Sequence, residues 1–342
     1  MDQRSKLSTD TARRQLIDPF GRRISYLRVS VTDRCNYRCF YCMPPEGVEW
    51  RQQRDLLTHE EMARLIRLFA ELGVENVRLT GGEPLVRRNL IALIRLIGEI
   101  PGIRDLSMST NAHLLERFAE EMREAGVSRV NISLDSLKPE VFREITRGGD
   151  LATVIRGIDA ALAVGMRPVK LNMVVMKGLN DGEIEAMVDF AVARGADLRF
   201  IETMPVGAAG SEGVDYYYPA EKILERIQTH YGGELNPTGT TRGAGPARYY
   251  QVGDGPVRIG VITAMSRHFC ETCNRVRLTA KGDLVFCLGK DDFVPLRDLV
   301  RGGHSDEALK AALLDAIARK PMKHDFLEAG QAPRHDMTSL GG

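Results

Sequence analysis

The stretch YLRVSVTDRCNYRCFYC, Tyr26 to Cys42, decides the fold and frames the chemistry. Its first part, YLRVSV (26–31), is a short run rich in β-branched residues and reads as a strand. Its last part sets Cys35, Cys39 and Cys42 in a C-x3-C-x2-C spacing. Runs of the same kind as the first follow at VENVRLT (74–80), DLSMST (105–110), RVNISLD (129–135), VKLNMVVM (169–176) and DLRFIET (197–203). Between them lie helical patterns. HEEMARLIRLFAELG puts Met62, Leu65, Ile66, Phe69 and Leu72 on one face, with Thr58 and Glu61 as a capping box and Gly73 as the stop. NLIALIRLIGEI, LLERFAEEMREAG, LATVIRGIDAALAVG and DGEIEAMVDFAVARG repeat the theme.

Strand then helix, repeated six times, predicts parallel β/α units, fewer than the eight of a closed barrel. An incomplete barrel or a doubly wound sheet fits, and either puts a site at the C-terminal strand ends. The chemistry-bearing residues fall there: the cysteines after the first strand, GGEP (81–84) after the second, STN (109–111) after the third, Asp135 after the fourth and ETMP (202–205) after the sixth. PVGAAGSEG (205–213) reads as a loop or boundary. Beyond it come a helix at about 219–231, strands ARYYQV and VRIGVIT, and a terminal amphipathic helix SDEALKAALLDAIARK (305–320).

The chain of 342 residues carries a net charge of +1 and a hydrophobic fraction of 43%. That composition is that of a soluble globular protein, and its bulk charge argues for neither nucleic acid nor a membrane surface. No run of 18 apolar residues is present, and the N-terminal stretch lacks an apolar signal core, so no membrane span and a cytoplasmic location are expected. Thiols stay reduced there, so the six cysteines are not read as disulfides. They divide into two triplets: Cys35, Cys39, Cys42 and Cys270, Cys273, Cys287.

A structural zinc site wants four ligands. The first triplet has no histidine in its loop, and Tyr37, Phe40 and Tyr41 interleave instead. Soft thiolates favour a 4Fe-4S cluster, and three of them leave one iron open to a small molecule. GGEP reads either as a tight turn or as backbone that approaches a ligand ammonium, with Glu83 beside it. The second triplet, C-x2-C-x13-C, reads as zinc completed by His268 or as a second cluster with an open iron. Arg275 and Arg277 alternate beside it, which suits either a solvated edge strand or phosphate recognition. Arg28, Arg78, Lys170 and Arg199 fall on predicted strands of an otherwise apolar barrel, where buried cations call for an anion.

C-x3-C-x2-C with an aromatic before the last cysteine, followed by GGEP after the next strand, resembles the radical S-adenosylmethionine (SAM) enzymes. With CETCNRVRLTAKGDLVFCLG, RFIETMPVG, VNISLDSL and the final Gly341–Gly342, the chain from about Ile24 to its end resembles their GTP 3′,8-cyclase branch, of molybdenum cofactor biosynthesis. The resemblance implies an incomplete (βα)6 TIM-type barrel over 25–205, after an N-terminal extension at 1–24. It implies a C-terminal α+β part over 206–330 and a tail over 331–342. It implies two 4Fe-4S clusters, one on each triplet, and SAM as cofactor held by Tyr41, Gly82, Glu83, Ser133 and Met204. It implies a GTP site lined by Arg28, Arg78, Ser109, Lys170, Arg199, Arg275, Val276 and Arg277, with Arg275, Arg277, Gly341 and Gly342 catalytic. In that family a SAM-derived radical takes the ribose 3′ hydrogen of GTP and the 3′ carbon closes on C8 of guanine. A reductant such as flavodoxin or ferredoxin, a downstream cyclic pyranopterin monophosphate synthase and a homodimer are the implied partners. STNA stands where the family often has Thr-Thr-Asn-Gly, so Ala112 is strained if that position needs positive φ. Two other readings remain at this point. A radical SAM enzyme acting on a peptide ordinarily carries more cysteines. A zinc-stabilised nucleic-acid binder sits poorly with the near-neutral charge.

Overall fold

A computed structural model describes residues 15–207, 210, 214–233, 235–238, 245–251, 258–324, 326, 333, 335 and 337–341. Most of the 205–213 loop, part of the terminal tail and Gly342 lie outside these residues, as do positions 1–14 of the N-terminal extension. The six expected strands form at β1 Tyr26–Ser30, β2 Asn76–Thr80, β3 Asp105–Thr110, β4 Arg129–Ser133, β5 Val169–Val174 and β6 Asp197–Ile201. The expected helices are α1 His59–Glu71, α2 Leu90–Gly98, α3 Leu115–Glu124, α5 Leu151–Ala163 and α6 Ile184–Arg194. A further helix, α4 Pro139–Thr146, precedes α5. Its start is written in Pro139 at the first turn and its buried face in Phe142 and Ile145, three apart.

Strands β1 to β6 are parallel and lie side by side in chain order. A doubly wound sheet reverses its strand order at a switch point. This one does not, so the winding is that of a barrel left open. The C-terminal part continues with α7 Ala220–Tyr231, β7 Asn236–Pro237, β8 Arg248–Gln251, β9 Arg258–Ile262, β10 Arg275–Leu278, β11 Asp283–Val285 and β12 Phe293–Pro295. It ends with α8 Arg297–Arg301, α9 Asp306–Ile317 and α10 Met337–Leu340. Its strands extend the same sheet at both edges, β9 parallel to β6 and β10 parallel to β1. The result is one 12-stranded sheet in the order β12-β11-β10-β1-β2-β3-β4-β5-β6-β9-β8-β7.

Local chemistry fixes these elements. Thr58 accepts from the Glu61 amide at 3.1 Å and Glu61 accepts from the Thr58 amide at 2.8 Å, which starts α1. Met62, Leu65, Ile66 and Phe69 are buried against the sheet, as the period requires. Leu16 and Ile24 are buried too, so the described part of the N-terminal extension packs into the same core.

Ala112 stands at φ 61, in the left-handed region, directly after the STN turn. It is wholly buried where α3 meets α5. Gly157 of α5 faces it: a methyl group there would lie 2.5 Å from the Ala112 carbonyl oxygen. Alanine ordinarily stabilises a helix interior over glycine by about 1 kcal/mol. Here the sign reverses. Gly157→Ala is expected to destabilise the fold by about 1–3 kcal/mol, read as a lower thermal midpoint.

Candidate active site

The loops at the C-terminal strand ends enclose one large cavity. Its wall includes Cys35, Cys39, Tyr41, Cys42, Gly82, Ser109, Ser133 and Met204, together with Arg28, Arg78, Arg199, Arg275 and Arg277.

The loop after β1 is braced by the loop after β2. The Gly82 amide donates to the Thr32 carbonyl at 2.9 Å and the Glu83 amide to the Arg34 carbonyl at 2.8 Å. A methyl group on Gly82 would stand 2.3 Å from the Arg34 oxygen, so only glycine permits this approach. Glu83 is not on the cavity wall. Its carboxylate accepts from the Leu85 amide at 3.0 Å, the Thr110 hydroxyl at 2.8 Å and the Asn111 amide at 2.7 Å, tying the end of β2 to the end of β3. Burial pushes it up to about 7 against the pull of those donors.

The first three thiols lie close enough to feel one another. Burial raises Cys39 well above the thiol range, and the charges of Cys42 and Cys35 add to this. Burial pushes Cys35 up to about 11. Thiolates crowded in a half-apolar loop need positive charge among them, and iron supplies it, so the donor set fits an iron–sulfur cluster. Asn111 donates to the Cys35 sulfur at 3.9 Å and to Asn36 at 2.9 Å. Tyr41 donates to Asp135 at 2.7 Å, and Asp135 also accepts from the Val174 amide at 2.9 Å. Burial pushes that carboxyl up to about 6.

The second triplet lies beside the cavity wall rather than on it. Phe269 and Leu288, chain neighbours of Cys270 and Cys287, face the cavity. Burial would raise the Cys273 thiol, yet Lys320, Arg275 and Arg277 together bring it below its ordinary range. Burial raises Cys270, with the charges of Cys287 and Cys273 contributing. Three thiols again share one field beside cations, a setting that fits a second cluster.

The cavity also has a floor of cations. Arg275 and Arg277 are 6% and 7% exposed, on a strand paired on both sides, so the solvated-edge reading is set aside. Strand alternation points Val276 to the opposite, apolar face, away from the cavity wall. Arg78 and Arg275 lie over the Tyr26 ring at 5.3 and 5.9 Å. Tyr26 was not singled out from sequence, although it opens the deciding stretch. Burial, with Arg277 and other cations near, lowers Arg28 well below its ordinary range. Burial likewise lowers Arg78 to about 10. Arg199 donates to Asn172 at 2.8 Å and Asn131 at 2.6 Å, two further residues the sequence reading passed over. Lys170 is buried behind the wall, donating to the Tyr249 hydroxyl at 2.8 Å.

The lining carboxylates, Asp135 and Glu202, are engaged elsewhere, Glu202 by the Ser266 hydroxyl at 2.6 Å and the Met265 and Ser266 amides at 3.0 Å. The cation floor therefore calls for an anion from outside. The tail reaches it: Arg28 donates to the Gly341 carbonyl at 2.8 Å, with Met337 on the cavity wall.

Two family patterns match this chain: Radical SAM superfamily over residues 29–191, and Molybdenum Cofactor Synthesis C over 196–326. It is 52% identical to a GTP 3′,8-cyclase of Hydrogenovibrio crunogenus, over 96% of this chain and 99% of that one. It is 45% identical to a GTP 3′,8-cyclase of Pelotomaculum thermopropionicum, over 95% and 99%. Among solved structures, Streptococcus suis SuiB bound to S-adenosylmethionine shares the fold at TM-score 0.61 and 15% identity, covering 85% of this chain and 68% of that one. With matches of that extent, the chain belongs to the GTP 3′,8-cyclase family of the radical SAM superfamily.

Proposed function

We infer that this chain is a cytoplasmic GTP 3′,8-cyclase, turning GTP into 3′,8-cyclo-7,8-dihydro-GTP at the first step of molybdenum cofactor biosynthesis. One observation carries the reading: one cavity is lined by Cys35, Cys39 and Cys42, by Arg28 and the buried Arg78, Arg199, Arg275 and Arg277, and by Phe269 and Leu288, chain neighbours of the second triplet. When bound, the two 4Fe-4S clusters and SAM supply the radical chemistry and an iron site for the guanine base. Cys35, Cys39 and Cys42 would hold the first cluster, and Cys270, Cys273 and Cys287 the second.

The chain's own residues do the rest. Arg28, Arg78, Arg199, Arg275 and Arg277 bind and fix the triphosphate, so that the ribose 3′ carbon faces the first triplet. Ser109 adds a hydroxyl from the end of β3. Tyr41, locked by Asp135, presents the wall on which SAM lies, with Gly82, Ser133 and Met204 beside it. Gly341 closes the site over Arg28 and keeps water out. A flavodoxin- or ferredoxin-type reductant, a synthase that consumes the product and a second copy of the chain are the partners this reading expects.

The test is conversion itself. Anaerobically reconstituted protein, supplied with GTP, SAM and a reductant, should form the cyclised nucleotide and 5′-deoxyadenosine together. Reductive cleavage of SAM with GTP left intact would refute the substrate.

Binding should also take up a proton. Burial, with Arg199 and Arg129 near, lowers Lys170 to about 7, so above that pH the free protein holds it largely neutral. A triphosphate on the same cation cluster restores its charge. Binding of GTP at pH 8 is therefore expected to take up about one proton, and affinity to fall as pH rises above about 7. Calorimetry in buffers of different ionisation enthalpy reads the uptake, and Lys170→Met should abolish it.

A further inference from the structure

The second triplet is clamped from one side by a short segment that no motif marks. Lys320 follows the end of α9 and is 2% exposed. Its ammonium donates to the Cys273 sulfur at 3.6 Å and to the Phe286 carbonyl, next to Cys287, at 2.9 Å. The two residues after it are pinned by Arg22, which donates to the carbonyls of Pro321 at 2.7 Å, Met322 at 2.7 Å and Cys270 at 2.5 Å. Asp18 pairs with the same guanidinium at 2.5 Å. Arg22 thus ties the Cys270 backbone to the segment that carries Lys320, and Lys320 spans the other two cysteines. A buried ammonium is a costly thing to place against a sulfur unless that sulfur carries negative charge.

We propose that Lys320 is a positioning residue that tunes the second cluster. Its charge and its N–H···S hydrogen bond to Cys273 stabilise the more negative, reduced form, and Arg22 holds it in place. The proposal rests on the second triplet holding a cluster. Hydrogen bonds to cluster sulfurs and nearby net charge are among the factors that set such potentials. An added electron is favoured by a cation in contact with a ligand sulfur, so removing that cation lowers the potential.

The experiment is a redox titration followed by electron paramagnetic resonance. It uses the full-length chain carrying Cys35→Ala, Cys39→Ala and Cys42→Ala, so that only the second cluster contributes. Lys320→Met should make reduction roughly tenfold harder, a shift of ~59 mV downward for a one-electron couple. Lys320→Arg, which keeps the charge and a donor, should stay close to the parent. If the Met variant loses its iron, Lys320→Gln takes its place and should shift in the same direction. Equal potentials in parent and uncharged variants would overturn the proposal, as would equal shifts in the Arg and Met variants. A parent chain that binds no iron would overturn the cluster reading itself, a failure distinct from a loaded cluster that ignores Lys320.

Discussion

Gly341→Ala is expected to lower GTP conversion by about 100-fold or more with the iron content unchanged. The reason is steric. Gly341 has φ 70, and a methyl group on it would lie 1.9 Å from Oγ1 and 2.5 Å from Cβ of Thr80. Thr80 ends β2 and is 1% exposed, so it has nowhere to go. The tail must leave, and the bond from Arg28 to the Gly341 carbonyl goes with it. Arg28 then loses its orientation, and the mouth of the cavity opens to water. The cost to stability is bounded by what burial of Leu340 contributes, about 2 kcal/mol. A loaded variant turning over at the wild-type rate would show that the tail has no part in the reaction.

Arg277→Ala is expected to lower kcat/KM for GTP by ~10²–10³-fold. Arg277 sits 7% exposed on β10, beside Arg275 and in register with Arg28 of β1. Burial and Arg275 lower its pKa against the opposing pull of Cys287 and Cys273, so its charge is costly to hold there and is eased by a bound anion. Two effects should therefore part company. Without GTP the variant should melt no lower than wild type. With GTP it should lose most of the ligand-induced rise in thermal midpoint. Arg277→Lys should recover a minor share, because a point charge replaces a planar fork that can grip two oxygens at once. A variant whose midpoint still rises fully with GTP would remove Arg277 from the site.

The barrel was legible because its information is local. Each strand from β1 to β6 is a short apolar run, and each matching helix announces itself by period and by caps such as Thr58 with Glu61. Helix α4 escaped because it is 8 residues long, too short for its period to stand out. The pairing of β10 with β1 is not local at all: nearly 250 residues separate Arg28 from Arg277, and the link is tertiary. That pairing turns an apparent edge strand into the cavity floor. The cysteines and arginines could be read from residue type and spacing. Where each side chain points could not, as Val276 shows by facing the core and Glu83 by turning into a brace between loops. Tyr26 and Lys320 have no motif, and their roles follow from what the fold places against them. Ala112 is the converse case: a single departure from a family pattern raised the question of positive φ, and the backbone there is left-handed.

The measurement that decides most is iron and acid-labile sulfide per chain after anaerobic reconstitution. It should be made on wild type, on the chain with Cys35, Cys39 and Cys42 replaced by alanine, and on the chain with Cys270, Cys273 and Cys287 so replaced. Two tetranuclear clusters predict about eight irons in the wild type and about four in each variant. About four irons in the wild type, unchanged when the second triplet is removed, would contradict the two-cluster site and the cyclase reading built on it.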